Sequence, residues 1–392
     1  MVGEVDLVTA LGLAGVRSAV AAQPGNPARY SRYAAERIEW VDPEHEPDEL
    51  VERLLTFAGS RSVAPVLYYD GDWDLLLVSR YREQLGDAFR FVVADPQLVE
   101  DLVDKARFQA LAERLELPVP PAVRLSPAAG DAPAVDLRYP LVAKPLTRQH
   151  QTWKPLSDAK AIHVADPSAL RRVWEQLAPA SVDLLVQEIV PGPESRIESY
   201  HVYVDDSGET AGEFTGRKLR THPRDYGYST ALEITDTRDV RDLGRELVAR
   251  LELTGVAKLD FKRDGEGRLH LLEVNPRFNL WHLPGAVAGV NLPALVYSDL
   301  AELPRPEGAR VRAGVRWCSL AHDRSAARDA GISFARWASW ALRCETKSGL
   351  SLRDPLPLVG ASLWRVRRLL RRHRPGAGAS GDGAANHRTG GT

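Results

Sequence analysis

Only two cysteines occur in the 392 residues, Cys318 and Cys344, and neither belongs to a CxxC or Cys/His spacing. A structural zinc site and a disulfide framework are therefore not suggested, and a reducing cytoplasmic setting fits. No run of about 18 apolar residues is present, and no basic N-terminal segment leads into an apolar stretch, so neither a membrane span nor a signal peptide is indicated. An excess of one charge is missing too. The 51 basic and 53 acidic residues leave a net charge of −2, which gives no general reason to expect nucleic acid or an anionic membrane as the main partner, although local charge runs remain. A chain of this length predicts two or three packed units.

What is present is concentrated between Val256 and Asn279. Ala257, Leu259 and Phe261 alternate with Lys258, Asp260 and Lys262, the period of a strand with one apolar and one polar face, and Asp264-Gly265-Glu266-Gly267 supplies a turn. A hairpin closed there sets Asp260 opposite Glu273, Lys258 opposite Asn275 and Phe261 opposite Leu272. Two carboxylates opposed at roughly 5 Å repel each other and ask for a cation. The hard oxygens of Asp260, Glu273 and Asn275 suit magnesium, with manganese as a substitute. A solvated hairpin face neutralised by Lys258 and Lys262 is the competing reading of the same pattern.

Upstream, Arg17 to Ala22, Arg37 to Val41, Val63 to Tyr68 and Phe91 to Val93 read as strands. Val5 to Ala14, Asp48 to Ala58 and Trp73 to Gln84 read as helices, together giving an open α/β layer. Such a layer usually begins with a strand, and the expectation here is that its first strand is missing. The spacing predicts one helix over Asp101 to Leu115 carrying Asp104-Lys105, and a short buried strand, Tyr139 to Pro145, ending in Lys144-Pro145. A lysine among such residues must reach solvent or an anion. Asp183 to Val190 is an apolar strand followed by Pro191-Gly192-Pro193-Glu194, and Gly216 to Pro223 holds Arg217, Lys218 and Arg220.

Glu273-Val274-Asn275-Pro276-Arg277, after a strand bearing Asp260, resembles the magnesium-binding signature of the ATP-grasp superfamily. Lys105, Lys144 and the strand ending at Val190 follow in the family's order. The resemblance covers roughly residues 30–300 and is nearest the carboxylate-amine ligases of the D-aspartate-ligase type. It implies a pre-ATP-grasp α/β domain (1–100) and a two-lobed α+β ATP-grasp domain (101–302, lobes about 101–186 and 187–302). A C-terminal extension (303–374) and a disordered tail (375–392) follow. It further implies ATP and magnesium as cofactors. Lys105 and Lys144 are then expected on phosphate, Gln187, Glu188, Ile189 and Val190 at the adenine edge, and Glu194 on the ribose. Arg220 is the expected cation for the γ-phosphate and substrate carboxylate, and Arg277 the expected holder of an oxyanion. The Gly-rich loop common after the second lysine is replaced by residues 146–160, which contain no glycine, so Lys160 is the candidate cation there. The implied reaction joins a small-molecule carboxylate to an amine. An ATP-grasp kinase acting on a hydroxyl and a non-catalytic ATP-binding module are the alternatives. The basic helix Val359 to Arg372 offers a weak surface contact to acidic lipid, RNA or protein, and a homodimer is compatible with the pattern.

Overall fold

A computed structural model describes residues 3–126, 132–146, 161–177, 182–306, 310–351 and 353–372. The strands are β1 (Ser18–Ala21), β2 (Ala34–Ile38), β3 (Ala122–Leu125), β4 (Leu141–Pro145), β5 (Ile162–Val164), β6 (Leu184–Glu188), β7 (Ile197–Val204), β8 (Thr210–His222), β9 (Tyr228–Thr235), β10 (Gly255–Arg263), β11 (Leu269–Asn275), β12 (Arg316–Cys318) and β13 (Thr346–Lys347). The helices are α1 (Val5–Leu13), α2 (Pro47–Gly59), α3 (Asp72–Arg80), α4 (Arg82–Gly86), α5 (Pro96–Val103), α6 (Lys105–Arg114), α7 (Pro167–Leu177), α8 (Arg238–Arg250), α9 (His282–Val287), α10 (Leu292–Leu300), α11 (Leu320–Asp329), α12 (Phe334–Leu342) and α13 (Leu356–Arg372). None of them, among the described residues, is long and apolar enough to cross a membrane.

Three sheets organise the described residues: β1 parallel to β2, a four-stranded sheet in the order β3-β6-β4-β5, and a seven-stranded sheet in the order β11-β10-β7-β8-β9-β12-β13. Leu141, Ala143, Leu184 and Val186 of the four-stranded sheet bury against Leu170, Val173 and Trp174 of α7 in a core of their own. The seven-stranded sheet shares one core with the N-terminal layer, Leu259 and Phe261 being continuous with Leu7, Leu54 and Leu75. Alternation positions the site. β10 turns Leu259 and Phe261 inward to this core and gives Asp260 and Lys262 to a cavity on its other face.

Several expectations change. The N-terminal layer has only two strands among the described residues, because Val63 to Tyr68 and Phe91 to Val93 meet in a single parallel bridge, Val66 with Arg90. The second strand lies at Ala34–Ile38, upstream of the expected Arg37 to Val41. The helix expected over Asp101 to Leu115 breaks at Asp104, whose Oδ1 accepts from the Ala106 and Arg107 amides at 2.9 and 2.8 Å and so caps a new helix opening on Lys105. The boundary expected at 100–101 consequently falls inside α5, and the lobe boundary at 186–187 falls inside β6. Residues 303 onward are not merely appended, for β12 adds to β9 and continues the seven-stranded sheet. Lys160 and the tail 375–392 lie outside the described residues.

Candidate active site

The hairpin of β10 and β11 pairs Asp260 with Glu273 and Lys258 with Asn275. The register then shifts, and Phe261 faces Leu271 instead of Leu272. The bulge leaves the two carboxylates and the amide as neighbours in the stretch next to Pro276. Their rows continue across the sheet, since Asp260 also pairs with Ser199 of β7, and Ser199 with Gly216 of β8. Gly216 is required there: a Cβ at that position would stand 2.5 Å from the Trp281 ring.

Asp260 is 1% exposed and is ringed by donors. Its Oδ2 receives Lys258 Nζ at 2.8 Å and Lys218 Nζ at 3.2 Å, while Oδ1 accepts from Ser199 Oγ. Lys258 also lies 3.8 Å from Glu273. Burial disfavours the charge on Lys218, but Asp260, Glu273 and Glu194 outweigh it and hold this ammonium above its ordinary range. Asn275 is 8% exposed and its side-chain Nδ2 has no partner. Turned over, the amide presents its carbonyl oxygen at that position, an exchange that geometry alone permits. Two carboxylates and one amide oxygen converging on a single cavity are a donor set that fits magnesium.

That cavity, about 180 Å³, lies between the two larger sheets. Its opposite wall carries Lys105, Lys144 and Gln187. Lys105 Nζ donates to the Pro145 carbonyl at 2.7 Å, tying the start of α6 to the end of β4. Lys144 Nζ donates to Gln187 Oε1 at 2.8 Å. An acid at 187 would cancel the lysine charge, whereas the neutral amide orients it and leaves the field for an anion. Glu188, Ile189 and Val190 line the cavity beside Leu185. The Glu188 carboxylate points away to Arg138, accepting from its backbone amide at 2.9 Å. Glu194 receives Lys262 Nζ at 3.3 Å.

The two arginines go elsewhere. Arg220 forks onto Asp323 of α11, with Nε and Nη2 donating at 2.8 and 2.7 Å, and stacks 4.0 Å over the Trp340 ring. The β8–β9 register shifts between Lys218 and Arg220, so the alternation that would set both on one face is broken. Lys218, not Arg220, faces the cavity. Arg277 donates to Asp72 Oδ1 at 2.6 Å and to the Asp70 carbonyl at 2.8 Å, holding the N-terminal layer against the site, where Asp72 forms part of the cavity wall. Ser199 and Lys218 are the neighbours of Asp260 that sequence reasoning passed over. Lys218 stood in the basic run beside the chosen Arg220, while Ser199 carries no signal until β7 is known to flank β10.

A cleft with lysines on one wall and paired carboxylates on the other defines a class of site, one suited to a phosphate-bearing ligand and a divalent cation. Residues 180–322 match a family model described as ATP-grasp in the biosynthetic pathway with Ter operon. The D-aspartate ligase of Enterococcus faecium is 23% identical over 289 residues, 70% of this chain and 68% of that protein. In fold the chain is similar to the ADP complex of an N5-carboxyaminoimidazole ribonucleotide synthetase, with a TM-score of 0.60 and 14% identity over 83% of this chain and 82% of that one. It is also similar to the L-amino acid ligase of Bacillus licheniformis, with a TM-score of 0.59 and 14% identity over 80% and 75% of the two chains.

Proposed function

We propose that this protein is an ATP-dependent ligase that joins a carboxylate to an amine, releasing ADP and phosphate by way of an acylphosphate. The observation that carries the reading is the juxtaposition of Asp260, Glu273 and Asn275 with Lys218 on one wall of a cavity whose other wall holds Lys105 and Lys144. ATP lies in this cavity, with its adenine along Glu188 to Val190 and its ribose toward Glu194. Asp260, Glu273 and Asn275 would hold magnesium, which when bound would supply positive charge against the phosphates.

The chain's own cations prepare the transfer. Lys144 and Lys105 meet the phosphates from one side, and Lys218 takes the part expected of Arg220 on the other. A substrate carboxylate that would otherwise be repelled by the γ-phosphate can then approach it. A carboxylate oxygen attacks phosphorus and ADP leaves. A neutral amine next attacks the acyl carbon, phosphate leaves with that oxygen, and the amine proton passes to solvent. Arg277 acts as a positioning residue, keeping Asp72 and the N-terminal layer closed over the acyl carbon so that water is excluded.

D-aspartate, from the name of the E. faecium relative, is the first carboxylate to test, followed by L-amino acids, each with a panel of amines. Stoichiometric ADP, phosphate and a new amide are expected, with heavy oxygen moving from labelled carboxylate into phosphate. AMP and pyrophosphate as products, or unlabelled phosphate, would refute the acylphosphate route.

A further inference from the structure

We propose that the groove between β1 and the stretch Val63 to Tyr68 is the seat of one further β-strand, parallel to both, that leads into α1 through Gly3. The groove has a volume of about 460 Å³, with Ser18 and Ala19 of β1 on one side and Ala64, Pro65 and Val66 on the other. Each side is an extended segment with one edge in use. β1 pairs with β2 alone among the described residues, and the Ser18 amide donates to the Tyr33 carbonyl at 2.9 Å, so alternation turns the amide and carbonyl of Ala19 to the other edge. Across the groove the Arg90 amide donates to the Pro65 carbonyl at 2.9 Å and the Leu67 amide to the Arg90 carbonyl at 2.8 Å. The amide and carbonyl of Val66 are thereby turned to the edge opposite Arg90. Ser18 is only 7% exposed, and its Oγ has no hydrogen-bond partner among the described residues. A main-chain group lying in the groove would supply one.

Gly3 fixes the direction of the strand and where it is joined. Its amide donates to Asp70 Oδ2 at 3.0 Å, and a Cβ on it would lie 4.0 Å from the Ala21 carbonyl. Gly3 therefore stands between the C-terminal ends of the two flanking segments, where a strand parallel to them finishes. From there α1 leads to β1, so a strand ending at Gly3 completes the strand–helix–strand crossover that parallel neighbours require. The walls select an apolar occupant: Leu54 and Phe57 of α2 and Tyr297 and Leu300 of α10 line the groove, and a parallel strand buried between helices is apolar on both faces. At the rim Arg61 pairs with Glu36 and Arg90 with Glu302, which leaves no cluster of one sign to hold an ionic ligand. The edge of a second folded copy pairs on one side only and does not enter between two strands. A detached peptide leaves the position of Gly3 unused. The occupant is thus an apolar strand of the same polypeptide, and the four residues of β1 set its length at about 13 Å of extended chain.

The test is the full 392-residue chain carrying about six further residues ahead of Met1 that alternate valine and isoleucine, beside a control whose extension is glycine and serine. Hydrogen exchange at the Ala19 and Val66 amides is expected to slow roughly tenfold or more in the valine–isoleucine chain alone. Its Tm should rise by a few degrees, and the protein should sediment as a monomer. Equal exchange in the two chains would overturn the proposal, as would protection confined to Ala34–Ile38, which would place the added strand on the outer edge of β2. A dimer whose dilution removes the protection would make the occupant a strand of a second copy. Protection of the unextended chain by an excess of the free valine–isoleucine peptide, where the tethered strand gives none, would make it a separate peptide. Either result refutes a strand joined at Gly3.

Discussion

Asp260 and Asp6 are buried to the same degree, 1% and 0% exposed, yet their surroundings differ in kind. Around Asp260 stand Lys258, Lys218 and Ser199, with Glu273 opposite it in register. Around Asp6, on α1 of the N-terminal layer, the partner is the indole N–H of Trp317 at 2.9 Å, and no cation pairs with it among the described residues. Burial therefore raises the Asp6 carboxyl to about 7, with Trp317, Ser348 and Gly349 pulling only part of the way back. One buried acid belongs to a charged network built to meet further charge, and the other is a carboxyl held well above its ordinary range that joins α1 to β12 by a hydrogen bond. Burial by itself does not mark a functional acid; the cations aimed at it do.

Removing the charge at each acid separates these roles. Asp260→Asn, and likewise Glu273→Gln, is expected to lower amine-dependent ADP release by about 10³-fold or more while the protein stays folded. Near-normal turnover at ordinary magnesium would remove both residues from the site. A second pair sharpens the contrast within one strand. Lys218→Met should lower kcat roughly 100-fold with little change in Tm, since the side chain faces the cavity. Arg220→Met leaves Asp323 buried without its fork, which costs about 3–5 kcal/mol and should appear as a Tm lower by roughly 5 °C. Its kcat per folded molecule should change only a few-fold. A large kcat loss in Arg220→Met at unchanged Tm would return the catalytic cation to that position.

The same contrast governs what the sequence made legible. Hairpin register follows from alternation and a Gly-bearing turn, so the facing of Asp260 with Glu273 and of Lys258 with Asn275 could be read directly. The shift that moves Phe261 onto Leu271 could not, because nothing local to the pattern marks the bulge. The different facings of Lys218 and Arg220 are hidden for a similar reason: a register shift on β8 exchanges the faces of two residues that simple alternation would keep together. The contacts of Arg277 are equally hidden, its partners Asp70 and Asp72 lying some 200 positions earlier in the chain. The break at Asp104 was legible in principle. An aspartate one residue before a helical run is a capping signal, but the continuous spacing of Leu102, Ala106 and Leu111 masked it. Asp6 carries no signal at all, since its partner Trp317 lies on β12, more than 300 residues downstream.

The smallest expected effect tests the Asp6 half of the comparison. Its folded pKa of about 7 lies above the usual value of 3.8, so between these values the folded state holds a proton that the unfolded state has released. Stability from this group is therefore fully present below about pH 4 and is lost as pH rises to 7, after which the loss is complete. Asp6→Asn keeps the shape and cannot ionise. Its Tm relative to wild type should rise by a few degrees between pH 5 and pH 8. His201 and His282 act in the opposite sense: burial lowers both, His282 to about 3. They favour unfolding as pH falls below about 6.5 and are present in both proteins, whereas Glu4, raised by burial and further by the Asp6 charge, responds to the substitution, so the Tm difference reports Asp6 together with Glu4. A constant difference at every pH would mean that Asp6 is ionised in the folded protein. The two buried acids would then differ only in their neighbours and not in charge.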